Sequence, residues 1–337
     1  MKDIKRIWTG IGAAVCLLVV ILDTKTAIAG ALEGIELSLK VVVPSLLPFF
    51  ILSYLIGKSF TGLHISFFEP INRLCGIPNG AESLYLLGFV GGYPVGAKSI
   101  ENAYEEGCIE AADARRMLGF CSNAGPAFIF GMAGSLFPSK GPLWALWAIH
   151  ITSSILVGCI LPKHKTNPCK IKANITANIP TAVENSVKTM GLVCVWVIVF
   201  RVLIAFLRRW FLWLLPSAAE VALVGFLELA NGCVFLGEIT SCGLRFVLCA
   251  VFLSFGGLCV AMQTVSVTRK LGTGMYFPGK LLQSAVSFLI AYFVQFLLFS
   301  GSDVYRFSTP LALTILLILC ITICLICWKK KVVAIPV

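Results

Sequence analysis

The chain has 337 residues, 58% of them hydrophobic and 13% charged, with a mean hydropathy of +0.93. Soluble domains carry about 25% charged and about 45–50% apolar residues, so a soluble fold is excluded and a polytopic membrane protein is required. The 27 Lys and Arg against 16 Asp and Glu leave a net charge of +11, but the basic residues are dispersed beside apolar runs without a recognition motif, which argues against a nucleic-acid partner.

A helix needs about 20 residues to cross a hydrocarbon core of about 30 Å. In chain order, apolar runs near that length occupy 7–22, 39–57, 119–137, 143–161, 190–207, 244–262, 281–300 and 311–328. The first follows Lys2, Lys5 and Arg6 and precedes Ala27-Ile28-Ala29, a pattern shared with cleaved signal peptides. Because the rest of the chain continues as membrane protein, an uncleaved first span is the preferred reading. Two further apolar stretches, 83–97 and 221–237, are short or interrupted by glycine and polar residues. They are expected to dip into the membrane and return on the same side.

Basic clusters set the orientation. Lys163, Lys165, Lys170 and Lys172 fill one loop, and Lys329, Lys330 and Lys331 follow the last run. With the N-terminus in the cytoplasm and both interrupted stretches dipping, these clusters fall inside, and only Arg208-Arg209 violates the rule. The sequon Asn174-Ile175-Thr176 adjoins the lysine loop and is read as accidental. The unit of span, dipping segment and span then occurs twice from opposite sides, an inverted repeat of the kind in which transporters hold substrate near the midplane. The expected fold is all-α, with about eight transmembrane helices plus two re-entrant or broken segments. Its parts are an N-terminal helix and linker (1–38), a first repeat (39–161), a basic cytoplasmic loop (162–189), a second repeat (190–283) and C-terminal helices with a basic tail (284–337). Within the first repeat, Gly107 reads as a helix stop. A surface connector follows in which Glu110 and Asp113 precede Arg115 and Arg116, matching charge to the helix dipole.

The fourteen cysteines lie mostly in apolar runs, where Cys behaves as a small hydrophobe. Cys324-x-x-Cys327 has only Cys320 nearby, and His64, His150 and His164 are scattered, so neither a metal nor another cofactor is expected. With no P-loop, paired catalytic carboxylates or nucleophile motif, an enzyme is not expected either.

The interrupted runs carry the candidate site. "GFVGGYPVGAK" (88–98) spaces Gly88, Gly92 and Gly96 four apart, a stripe that lets another backbone approach. Pro94 breaks the helix near Tyr93, and freed backbone groups are tolerable in a membrane only inside protein or beside water. Lys98 either snorkels to the interface or attracts an anionic group. In "CSNAGP" (121–126), Ser122 and Asn123 offer hydrogen-bonding groups beside the Gly125-Pro126 interruption. In "GFLELANGC", Glu228 and Asn231 are three residues apart on one helical face. A carboxylate in an apolar run is costly, so Glu228 is the candidate coupling-ion or proton group, with Arg201 or Arg245 as partners if its role is structural. "SFGGLCVAMQ" adds Ser254, the Gly256-Gly257 break and Gln263.

These four segments, in order, resemble the YlbJ-type sporulation integral membrane proteins, whose chains carry a nucleoside-recognition or gate domain; the resemblance runs from about residue 39 to 283. It implies gate-type repeats, and transport of dipicolinic acid from the mother cell toward the forespore across the outer forespore membrane. A dianionic aromatic substrate would suit Tyr93, Lys98 and exposed helix ends. The family often has Ser and His where this chain has Cys259 and Ala261. The alternatives are transport of a nucleoside or other small metabolite, or a structural membrane protein that recruits sporulation partners or a second copy of itself.

Overall fold

The computed structural model describes residues 2–60, 63–163, 167–169 and 178–299. The expected span 311–328, the Cys320, Cys324 and Cys327 group, Lys329 to Lys331, His164, Lys165, Lys170, Lys172 and the Asn174 sequon lie outside them. The described residues form helices and no strands. Among the described residues, five stretches are long and apolar enough to cross a membrane: Thr24–Phe60, Gly141–Ile160, Ile179–Trp210, Cys242–Val267 and Tyr276–Phe299.

The first helix, α1 (Lys2–Leu22), has an apolar part, Arg6–Leu22, that falls short of spanning length, so the expected first span 7–22 is not among the five. Asp23 ends it and caps the next, accepting from Thr26 N at 3.3 Å and from Thr26 Oγ1 at 2.8 Å, which satisfies amides that a helix start leaves without partners. Helix α2 (Thr24–Leu37) runs through a wider π-type turn at Ser38–Val42 into α3 (Val43–Phe60). Pro44 and Pro48 follow that turn, each lacking a backbone donor. The predicted run 39–57 is thus the second half of a longer helical stretch.

Helix α4 (Glu69–Cys75) stops at Gly76, whose left-handed φ of 62° suits a residue without Cβ. Then α5 (Glu82–Val90) and α6 (Val95–Glu105) form a hairpin around residues 91–94, and α7 (Ala111–Met117) follows. As expected, Gly107 terminates α6: its φ is 71°, and Cys108 N reaches back to Ala103 O at 2.8 Å.

The run 119–137 does not form one spanning helix. Residues 118–125 are turn and extended backbone, and only the short α8 (Pro126–Gly131) and a turn of 3-10 helix at Ala133–Leu136 follow. Pro126 can start a helix but cannot continue one through Gly125. The extended part is instead held by neighbours, since Asn123 Nδ2 and Ser154 Oγ both bond Phe120 O, at 2.8 Å and 2.6 Å.

Helices α9 (Gly141–Ile160) and α10 (Ile179–Trp210) are full-length spans. Gly30 and Gly34 of α2 press on α10: a Cβ there would lie 3.0 Å from Val202 Cα and 2.8 Å from Ile198 Cα, the close approach that small residues allow between helices in lipid. A second hairpin, α11 (Ser217–Leu227) and α12 (Leu229–Leu236), breaks at Glu228. Helices α13 (Cys242–Phe255) and α14 (Gly257–Val267) form a span broken at Gly256 and Gly257, with φ of 82° and 79°. Helix α15 (Tyr276–Phe299) ends the described chain. Phe246, Phe252, Leu146 and Ile204 are buried around α9, α10 and α13, while Leu18, Leu39, Val195, Trp213 and Leu281 are exposed. Large apolar side chains pointing outward are what lipid, rather than water, accommodates.

Candidate functional site

Each of the two hairpins brings its tip onto a chain break. In the first, Gly92 faces Gly125, close enough that a Cβ on Gly92 would sit 2.8 Å from Gly125 N. In the second, a Cβ on Gly257 would lie 3.3 Å from Leu229 N and 3.4 Å from Glu228 Cα. The two units meet through Tyr93, whose ring lies 3.2 Å from where a Gly256 Cβ would project. The Tyr93 hydroxyl reaches the carbonyls of Leu253 and Ser254, at 3.3 Å and 3.4 Å.

Between these tips lies a cleft with about 530 Å³ of space, part of it open to the surroundings. Gly92, Tyr93 and Gly125 come from the first unit, and Glu228, Leu229, Ala230, Val260 and Gln263 from the second. Ser45 and Leu46 of α3, Phe128 and Met132 near α8, and Val193 and Val197 of α10 complete an apolar wall. Helices α6, α12 and α14 all start at the two breaks, so their positive ends point inward. An apolar pocket with a few convergent polar groups suits a small organic solute.

Behind Tyr93 sits a cation that the sequence reading left at the edge of a span. Lys280, in the first turns of α15, is fully buried. Its Nζ donates to Ser122 O, to Gln283 Oε1 at 2.5 Å, to Asn123 Oδ1 at 3.4 Å and to Tyr93 Oη at 3.2 Å, and it lies 5.3 Å from the centre of the Tyr93 ring. Gln283 Nε2 donates to Asn123 Oδ1 at 3.0 Å and His150 O at 3.3 Å. His150 Nε2 accepts from Ala124 N at 2.9 Å, which fixes Nδ1 as the protonated nitrogen of a neutral ring, 3.3 Å from Ser254 Oγ. Ser254 in turn meets Ser287 at 2.6 Å. The spacing 280, 283, 287 puts these α15 groups on one helical face. Lys280 stands just outside an apolar run and Gln283 and His150 sit inside such runs; the α15 face is the signal that finds Lys280 and Gln283, and no spacing singles out His150 on α9.

Glu228 is buried in the break of the second hairpin and caps α12. It accepts from Ala230 N at 2.9 Å and from Asn231 N and Nδ2, both at 2.6 Å. The partner named from sequence is reached through Asn231, whose Oδ1 accepts from Arg201 at 2.7 Å; Arg201 also pairs with Glu33. Arg245 bonds Leu136 O and Ile239 O instead.

The structure thus gathers Tyr93, Gly125, Glu228 and Gln263 on the cleft, with Ser122, Asn123, Ser254 and Gly256 behind it. Asn231 and Gly257 lie at the second tip. Pro94 and Gly96 belong to the first hairpin, where Gly96 packs on Cys121 O, and Pro126 opens α8. Lys98 stands apart: it lines a separate groove of about 420 Å³ with Tyr54, Ser99, Asn102, Asn185 and Thr189. Cys259 and Ala261 are buried on α14, Cys259 accepting from Gln263 Nε2 at 3.4 Å.

Five spanning-length apolar helices with outward-facing apolar side chains, and broken backbone confined to the interior, define an integral membrane protein. The sporulation integral membrane protein YlbJ of Bacillus subtilis (strain 168) is 35% identical to it over 131 residues, which cover 37% of this chain and 31% of that protein. The match supports the resemblance to YlbJ-type proteins and spans less than a third of the relative's length. No family model and no solved structure matches the chain.

Proposed function

We propose that this protein is a membrane transporter for a small anionic metabolite in sporulation, dipicolinic acid moved from the mother cell toward the forespore, and that it performs no catalysis. The two units would form an inverted pair of gate-type repeats within about eight spans, in the outer forespore membrane. The observation that carries the proposal is the cleft between the tips of two broken hairpins, which is apolar enough for an aromatic ring and flanked by three inward helix N-termini. Glu228 would serve as the coupling-ion or proton group.

A second reading, transport of a nucleoside or another uncharged metabolite, draws on one feature: the carboxylate on the cleft wall is that of Glu228, and the buried cation stands behind Tyr93. The test is binding of dipicolinate and of uridine to the purified protein, with dipicolinate content measured in spores of cells lacking the chain. Saturable dipicolinate binding and dipicolinate-poor spores are expected. Saturable uridine binding without dipicolinate competition selects the second reading. Binding of neither, with normal spore dipicolinate, leaves a structural sporulation component.

A further inference from the structure

We infer that Lys280 is the charge that receives the carboxylate of the transported solute, and that Tyr93 is the partition between it and the cleft. This assignment deepens the transport reading above and rests on it.

The first observation is an uncompensated charge. Ser122 O, Asn123 Oδ1 and Gln283 Oε1 are three carbonyl-type acceptors around one nitrogen, with Tyr93 Oη a fourth, more than the two donors of a neutral amine can serve and a setting for an ammonium with its three. Yet among the described residues no carboxylate pairs with Lys280. A buried charge without a counter-charge is expensive, and an anionic solute would supply one.

The second is location. Arg116 is also buried among backbone carbonyls, but its four acceptors, Cys75, Gly76, Gly158 and Pro162, cluster at the ends of α4 and α9. That arrangement is a structural clasp on two negative helix ends. The Lys280 acceptors lie in broken backbone, and the Tyr93 side chain that covers them is itself a cleft wall.

The third is an idle donor. The hydroxyl of Ser122 is completely buried and has no hydrogen-bond partner, while the carbonyl of the same residue holds Lys280. It is available to a second oxygen of a carboxylate.

The fourth is the hold on Tyr93. One phenolic hydrogen is shared between two carbonyls at 3.3 Å and 3.4 Å, both well beyond the usual O–H···O distance of about 2.7–2.8 Å. Moving the ring aside gives up these two long bonds and the 3.2 Å bond from Lys280 Nζ, which the arriving carboxylate would replace, and joins the cleft to the ammonium.

The experiment uses purified full-length protein and three probes of similar shape: dipicolinate, picolinate and the uncharged pyridine-2,6-dicarboxamide. A charge-assisted hydrogen bond is worth roughly tenfold or more in affinity, so the wild type should prefer dipicolinate to the diamide by about that factor, with picolinate between. Lys280→Met should collapse the preference. Asn123→Asp, which sets a carboxylate beside the ammonium and leaves Lys280 in place, should do the same, and it decides the matter where Lys280→Met fails to give monodisperse protein. Tyr93→Phe keeps the ring and should keep the preference. A folded Lys280→Met or Asn123→Asp protein with wild-type preference overturns the assignment, as does a preference lost in Tyr93→Phe, which would make the hydroxyl the reader of the carboxylate. Wild-type protein that binds dipicolinate and the diamide equally well overturns this assignment alone. Wild-type protein that binds none of the three overturns the transport reading and the assignment with it.

Discussion

Gly88 and Gly96 touch across the first hairpin: a Cβ on Gly96 would lie 2.8 Å from Gly88 Cα and 2.4 Å from Cys121 O. Gly225 and Gly232 repeat the contact in the second hairpin, at 2.3 Å from Gly232 to Gly225 Cα. In both, helices cross backbone to backbone, and this brings the tips together with the breaks they face.

Substitution at these crossings should therefore cost stability even though alanine is the better helix former. Gly88→Ala would drive a methyl to 1.9 Å from the backbone oxygen of Cys121, which no rotamer change relieves. Overpacking of this kind costs about 1–3 kcal/mol or more, against about 1 kcal/mol gained in helix propensity. Gly191→Ala in α10 meets nothing within 4 Å and should be neutral or stabilising. Thermal unfolding of the two variants in detergent should move in opposite directions, and equal midpoints would refute the backbone-contact account of the hairpin.

These crossings show what sequence could and could not reveal. The four-residue glycine spacing, the Pro94 break and the Gly256-Gly257 break were legible because each removes a side chain or a donor that a continuous helix needs. The fate of 119–137 was legible only in part: Gly125-Pro126 marks an interruption, but the extended backbone before it depends on Asn123 and Ser154 bonding Phe120 O and on Cys121 and Ser122 packing against Gly88 and Gly96. Lys280 carries no signal of its own, because it lies one residue before the apolar run 281–300. A lysine one residue outside a run looks alike whether it faces water or protein, and helix periodicity alone, linking it to Gln283 and Ser287, distinguishes the two.

Arg116→Lys tests the structural clasp. The guanidinium serves four carbonyls from two helix ends through Nε, Nη1 and Nη2, a fork that one ammonium cannot match. Leaving one or two buried carbonyls without donors should cost about 2–4 kcal/mol. Chemical denaturation in micelles should show the loss, and a variant as stable as the wild type would mean that water replaces the missing donors.

Glu228→Gln separates capping from coupling. Glutamine retains one of the two oxygens that the amides of Ala230 and Asn231 share between them, so the cap should weaken by about 1–3 kcal/mol without being lost. The charge is gone, however, so accumulation of solute against a gradient in proteoliposomes should fail while binding persists. Gradient-driven uptake equal to that of the wild type would reduce Glu228 to a cap.

A final pair of substitutions distinguishes the cleft from the groove at Lys98. Ser45 lies on the cleft wall, its hydroxyl spent on Val41 O at 2.6 Å within its own helix. Gly131, across from it, would place a Cβ 3.9 Å from Ser45 Cβ. Ser45→Phe adds a ring on the cleft wall, so it should fill part of the cleft and abolish solute binding. Lys98 faces Tyr54, Asn102, Asn185 and Thr189 in the other groove, so Lys98→Ala should leave equilibrium binding in the cleft within about twofold, less than 0.5 kcal/mol. Should Lys98→Ala abolish binding while Ser45→Phe spares it, the solute sits between α3, α6 and α10, and the broken hairpins serve another purpose.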